Sequence, residues 1–388
     1  MRQKNGRLIA LVGAVAVAAI ATGGALAHRQ GTNATEAEAA PLSTSPSPTP
    51  STTPTPTTTA TPTPAPSKTP VKTPTKAGPV KSEVKLAKLS QGRAPQVAYL
   101  TGRTVRGGAG QGVKVPGTGD IQAVARLRQS VLAIVSTQDN TTEMLTIGSD
   151  GAVLRRTPNI SGVVTTEDGT AAAYLATLVS DTGQQKPGTT IYAEQETVRK
   201  LTVPDVWNAS MIGYVNGKVY FQASDEEASS IWTLYEWIPG GSKATEVKTV
   251  PKPTAVSGDG TTAASLTTLN DYNSCTSVVS LASGKRLFRT CEYQVDGFTR
   301  DGATAIAGPF YRDGYGDGIA AALDAKTGTL IHEWSGVFRQ TVAEDDQHLL
   351  ILADNGQESP ASIIRCTIAT GACELATPLE KGNLLIGS

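Results

Sequence analysis

Residues 162–178 read GVVTTEDGTAAAYLATL, two apolar runs hinged on the polar turn Glu167-Asp168-Gly169-Thr170. Short runs rich in β-branched and aromatic residues on either side of such a turn form an antiparallel hairpin. Outward from it, Thr190 to Ala193 and Val198 to Val203 add two more strand-like runs, joined by a turn at Glu194-Gln195-Glu196. This four-run unit recurs. Turns of the first kind centre near Gln129, Asp168, Gly217, Asp259, Asp301 and Asp345, at steps of 39, 49, 42, 42 and 44 residues. Turns of the second kind keep step with them at Ser149-Asp150-Gly151, Gly240-Gly241-Ser242, Ser283-Gly284-Lys285, Lys326-Thr327-Gly328 and Thr370-Gly371-Ala372. A repeat of about 44 residues with four short strands is the pattern of a propeller blade. Ahead of the first full unit, Gln96 to Leu100, Arg103 to Arg106 and Gly112 to Val115 supply three strands but no innermost one, which Asn383 to Ile386 can provide. The sequence thus predicts an all-β, seven-bladed β-propeller, with six and eight the neighbouring counts. One C-terminal and three N-terminal strands close it, so neither end of the array is left as an open edge.

The repeats occupy only part of the 388 residues. Residues 1–27 read as a signal anchor or signal peptide. Arg2, Lys4 and Arg7 precede an apolar stretch, Leu8 to Ala27, long enough at 1.5 Å per residue to span a bilayer as a helix. Only Arg29 follows closely, so the positive-inside bias leaves the N-terminus in the cytoplasm and the rest outside. Ala25-Leu26-Ala27 is a small-residue peptidase pattern, and cleavage after Ala27 would give a secreted protein. Residues 28–92 read as a disordered linker. From Pro41 to Lys76 it is almost wholly Pro, Thr, Ser and Ala, which buries no core and favours extended polyproline geometry. A spacer of this kind serves a retained anchor, so the expectation is a single-pass cell-membrane protein with an extracytoplasmic head. Residues 93–388 are the propeller.

Formal charge is zero by cancellation. Residues 1–93 carry 11 Lys or Arg against 3 Glu, leaving 23 basic and 31 acidic residues in the head. An acidic head without a basic patch is unsuited to nucleic acid, whose phosphates need clustered positive charge. The four cysteines all lie in the head, and each pair is symmetric about a hairpin turn. Cys275 and Cys291 are equidistant from Ser283, and Cys366 and Cys373 straddle Ala369-Thr370. Residues so placed face each other across antiparallel strands at disulfide distance, which predicts Cys275–Cys291 and Cys366–Cys373 in an exported protein.

Catalytic patterns are few. No Gly-x-Ser-x-Gly elbow occurs, and of the three histidines His332 and His348 read as strand-face residues. No cofactor motif is present, and the expected cofactor set is none. One polar feature recurs: an acid follows the second strand of each unit, at Asp139, Asp181, Asp225, Asp271, Asp313 and Asp354. In a propeller these loops share a face, so their summed field favours a cationic or basic ligand, although Asp also opens loops by bonding its own backbone. Trp207, Tyr272 and Tyr315 are candidate recognition aromatics beside them. No metal site is expected. Asp313 and Asp317, spaced by glycines in Asp313-Gly314-Tyr315-Gly316-Asp317-Gly318, are weak Ca²⁺ candidates without the Glu an EF-hand requires.

The turns Glu167-Asp168-Gly169-Thr170, Gly258-Asp259-Gly260-Thr261 and Arg300-Asp301-Gly302-Ala303 match the polar turn after the inner strand in TolB-like and WD-repeat-like propellers, which residues 93–388 resemble. The Trp-Asp pairs that end eukaryotic WD repeats are missing. The layout of signal, Pro/Thr stalk and propeller is similar to that of exported surface proteins of high-GC Gram-positive bacteria. The resemblance implies a head that binds or scaffolds. The expected function is non-enzymatic binding of a protein or cell-envelope ligand through the acidic face, with the membrane engaged only by the N-terminal helix. The alternative is a propeller hydrolase or lyase with carboxylates, with or without a metal, at the central channel.

Overall fold

The computed structural model describes residues 80–388 except 140, 181–183, 271–272, 312–315, 355–358 and 388. The apolar stretch and the Pro/Thr-rich stalk lie outside these residues. Among the described residues no helix is long and apolar enough to cross a membrane.

The described chain is a β-propeller built from antiparallel four-strand groups. Ile121–Leu127, Ser130–Ser136, Thr142–Ile147 and Val153–Pro158 form one sheet in chain order. Ile160–Thr165, Ala172–Val179, Gln185–Glu194 and Val198–Val203 form the next. Trp207–Val215, Lys218–Ser224, Thr233–Trp237 and Thr245–Pro251 follow, then Pro253–Val256, Thr262–Asn270, Asn273–Ser280 and Arg286–Thr290. The first strands of successive groups lie side by side, and the last returns to the first.

The second strands, such as Ser130–Ser136, Ala172–Val179, Thr304–Pro309 and His348–Asp354, are buried on both faces, which explains why they read as near-continuous apolar runs. Ala172, Tyr174 and Ala176 pack with Ile134 and Met144 of the preceding sheet. Their alternates Ala171, Ala173 and Leu175 pack with Tyr214, Phe221 and Trp237 of the following one. Side chains of consecutive residues point to opposite faces of a strand, so a single run feeds two cores. Full burial of a Leu such as Leu175 contributes about 1.5–3 kcal/mol.

The ends close as the sequence expects. Leu384–Ile386 pairs with Tyr99–Thr101, which is followed by Thr104–Arg106 and Val113–Lys114. The register is Tyr99 to Ile386, Leu100 to Leu385 and Thr101 to Leu384.

One sheet departs from the simple repeat. Tyr293–Phe298, Thr304–Pro309, Asp317–Asp324, Leu330–Ala343, His348–Asp354, Ser362–Thr367 and Cys373–Leu375 run as one sheet. Leu330–Ala343 pairs with Asp317–Asp324 through its first part and with His348–Asp354 through Val337 to Ala343. It is the outer strand of one group and the inner strand of the next. Gly336 makes no turn there. It gives way to the Phe338 ring, which a Cβ at this position would meet at 2.6 Å.

Residues 80–92, which the sequence reading assigned to the linker, pack against the sheets. Val80–Glu83 adds a parallel strand to Leu330–Ala343, Leu86 is buried in the same core as Trp334 and Phe338, and Leu375 N donates to Ser90 O at 2.9 Å. Composition misled here because the lysines between these apolar residues read as solvated stalk. The segment is tied further by Glu344, fully buried, which accepts two hydrogen bonds from the buried Arg365 and one from Gln96 N at 2.7 Å. Arg365 also donates to Arg93 O and Ala94 O, at 2.8 and 2.9 Å.

Both expected disulfides are present, Cys275–Cys291 and Cys366–Cys373. Cys366 and Cys373 are direct cross-strand partners. Trp237 is buried, its Nε1 donating to Gly241 O at 2.9 Å. Trp232 precedes the same strand, half-buried, and donates to Pro253 O.

Candidate functional site

Loops at the two ends of the strands make two candidate surfaces. On the first lie the turns that follow each second strand and the crossovers between groups. Asp139 is exposed in the loop after Ser130–Ser136, and Asp225, Glu226 and Glu227 are exposed after Lys218–Ser224. Asp354 ends its strand and is held by Arg339, whose Nε lies 2.8 Å from Oδ2. Asp317 begins Asp317–Asp324, opposite Phe338. Asp181, Asp271, Asp313, Tyr272 and Tyr315 lie outside the described residues. Trp207 is not in a crossover loop. It opens the strand Trp207–Val215 opposite Ser224, half-buried, where Ser224 Oγ donates to its carbonyl at 3.2 Å. Asp139, Asp225 and Asp354 thus lie at the same end of three separate second strands. Among the described residues no group of three His, Cys, Asp or Glu side chains could hold a metal ion. The same face presents exposed apolar side chains: Ile231, Phe310, Tyr311 and Leu379.

The second surface is formed by the turns between first and second strands, whose Asp-Gly chemistry made the repeat readable. Asp168 accepts from the Thr166 hydroxyl at 2.7 Å and from Thr170 N at 3.0 Å. Asp259 accepts from the hydroxyls of Ser257 and Thr261 and from Thr261 N. Asp301 repeats the pattern with Thr299 Oγ1 at 2.7 Å and Ala303 N at 2.9 Å. The following Gly169, Gly260 and Gly302 take φ of 63°, 67° and 68°, left-handed geometry that glycine adopts without a Cβ clash. The Thr166 hydroxyl, then the Thr170 amide and hydroxyl, hold the Asp168 carboxyl below its usual range. Burial opposes the same shift at Asp259, but the Ser257 and Thr261 donors outweigh it. The Asp168 and Asp259 carboxylates are kept ionised and occupied, which suits turn structure and not proton donation.

The turns also join one another. Asn216 Nδ2 donates to Asp259 O at 2.8 Å, and Asp301 N to Asp346 Oδ1 at 2.8 Å. Arg300 and Glu167 pair at 3.2 Å, linking two sheets that are not neighbours in the ring. Beside this pair open two cavities of about 830 and 760 Å³ that share Glu167, Asp168, Arg300 and Ala343 as walls. The larger is also lined by Arg126 and Arg128. Sequence reasoning passed over both arginines because Arg126 sits in an apolar run, IQAVARL at 121–127, where a charge at an inward position was the available signal.

The two histidines among the described residues are accounted for locally. His332 is buried against Trp334, ring centroids 4.6 Å apart, pairs with Ser82 at 3.0 Å, and packs under the Gly371 turn, where a Cβ would meet its ring. His348 Nδ1 lies 2.8 Å from Asp345 within its own turn.

No family model matches the chain, and no curated protein matches it. Among solved structures it is similar to an uncharacterized protein, lmo1340, from Listeria monocytogenes EGD-e, with 9% identity over 71% of this chain and 91% of that chain and a TM-score of 0.47. It is also similar to TolB from Acinetobacter baumannii, with 14% identity over 70% of this chain and 66% of that one, TM-score 0.42. Prolyl oligopeptidase B from Galerina marginata shows 10% identity over 68% of this chain and 43% of that one, TM-score 0.49. At these values the likenesses carry no argument about activity, and the fold rests on the strand order itself.

Proposed function

We propose that the chain is a non-enzymatic binding propeller of seven blades, tethered to the membrane by residues 8–27 and its stalk. It docks a protein or cell-envelope ligand on the loop face bearing Asp139, Asp181, Asp225, Asp271, Asp313 and Asp354. The count of seven treats Leu330–Ala343 as the outer strand of one blade and the inner strand of the next. The observation that carries the binding reading is the company those acids keep. Ile231, 61% exposed, and Tyr311, 56% exposed, stand with Phe310 and Leu379 on loops of the same face as Asp139 and Asp225 to Glu227. Exposed apolar side chains among carboxylates suit a basic partner surface with an apolar centre, since charge steers the encounter and apolar burial holds it. At the other surface, the occupied turn carboxylates favour binding over acid–base chemistry.

The test uses the full chain in detergent to capture partners from envelope extracts. It is run beside one variant with Asp139→Asn, Asp225→Asn, Glu226→Gln and Glu227→Gln, and another with Ile231→Ser and Tyr311→Ser. The expected result is a partner held at low salt, weakened as ionic strength rises, and lost by both variants. A partner retained equally by both variants would show that this face is not the binding surface.

A further inference from the structure

Arg126 is 5% exposed in the innermost strand Ile121–Leu127. Its Nη2 donates to the carbonyls of Val105, at 3.4 Å, and Gln111. Its Nε is buried with no hydrogen-bond partner. No carboxylate among the described residues pairs with it, and burial alone pulls the guanidinium below its usual value. A buried cation is normally balanced by a counter-charge, because removing it from water without one is costly. Arg365 shows the usual solution in this same molecule, with Glu344 and Glu374 on its guanidinium.

The chain around Arg126 is shaped to hold the head group in place. In the hairpin loop of the closing sheet, Gly107, Gly108 and Ala109 take φ of 71°, 60° and 58°. A Cβ on Gly110 would fall 2.2 Å from Arg126 Nη1, and one on Gly108 would fall 3.1 Å from its Cγ. The loop therefore closes on the arginine only because these positions lack side chains. Arg126 lines the larger cavity together with Arg128, Gln96, Gln129 and Arg300. Arg128 is exposed and joins no ion pair among the described residues, while its backbone N–H donates to Gly169 O at 2.7 Å and fixes its place. The two acids of the same wall are already engaged: Glu167 by Arg300, and Asp168 by Thr166 and Thr170.

We infer that this cavity is a binding site for a small oxyanion, a carboxylate or a phosphate, held by Arg126 and Arg128 with the Gln96 and Gln129 amides as neutral donors. A guanidinium offers a planar fork of N–H donors that matches both groups, and an anion seated here would supply the missing counter-charge. The site is on the opposite loop surface from the acidic face and does not depend on what that face binds.

The test titrates the full chain with inorganic phosphate in one arm and malonate in the other, at ionic strength held constant with chloride. Binding is followed by calorimetry and by the thermal midpoint. One saturable anion per chain is expected, with a rise in the midpoint as the site fills. Arg128→Ala should weaken binding roughly tenfold or more by removing a charge-assisted donor. Arg126→Lys should also weaken it, since it keeps the charge and loses the fork. Should Arg126→Lys fail to fold, Arg128→Ala decides alone, because that side chain is exposed. The arm that binds tells phosphate from carboxylate. The inference is overturned by the lack of saturable binding in both arms, or by binding that Arg128→Ala leaves unchanged; Arg126 is then only a clamp for the loop carbonyls.

Discussion

Asp168 accepts a hydroxyl on each flank of its turn, and that small arrangement sets how the protein responds to acid. Its carboxyl titrates below the ordinary range in the folded chain, so the folded state binds fewer protons than the unfolded one. Its contribution is complete above about pH 4, the unfolded value, and is lost as pH falls through the folded one. Asp259 and Asp345 are depressed too and act over the same window. His332 acts higher. Burial holds its imidazole neutral, so below its ordinary value near 6.5 the unfolded chain takes the proton first and stability declines. Urea unfolding followed from pH 8 to 3 should therefore fall in two stages, one starting near pH 6.5 and one below 4. Asp168→Ala with Asp259→Ala should flatten the lower stage, and an unchanged acid limb in that variant would refute the assignment. Single residues were the least legible scale in the sequence. The turn aspartates announced themselves by their Gly and Thr neighbours, whereas the inward position of Arg126 in its apolar run signals burial but not what the guanidinium faces.

Hairpins were far more legible, because a tight turn between two apolar runs is a local instruction. The turns centred near Gln129, Asp168, Gly217, Asp259, Asp301 and Asp345 all join a first strand to a second, and both cysteine pairs bridge the hairpins expected of them. What escaped was any element whose partner is distant. Val80–Glu83 is a strand only because Leu330–Ala343 offers it an edge, and its own composition reads as stalk. The extra length of Leu330–Ala343 was hidden likewise, since Ser335-Gly336 reads as a break and acts as a place for the Phe338 ring. The disulfides give a test at this scale. Cys275–Cys291 closes a separation of 16 residues and Cys366–Cys373 one of 7. On loop-closure entropy, replacing the first pair with alanines should cost about 3 kcal/mol, and the second roughly 0.7 kcal/mol less. Urea unfolding of the oxidised proteins measures both, and the reverse order would mean that strand packing, not chain entropy, sets their worth.

The whole ring depends on a few residues. A chain stopped after Gly382 loses Leu384 and Ile386, both buried against Tyr99, Leu350 and Ile363. Their burial is worth about 3–6 kcal/mol together, so this variant should unfold at markedly lower urea and should self-associate, because the edge of Tyr99–Thr101 is left open. Truncation without change in either property would mean the ring holds without its closing strand. The same joint fixes the order of events at birth. Tyr99–Thr101 is among the earliest of the described strands to be made, and its partner Leu384–Ile386 follows all the other described strands. Any assembly that proceeds as the chain emerges must carry an unfinished sheet from beginning to end, so the part of the head synthesised first is the part completed last.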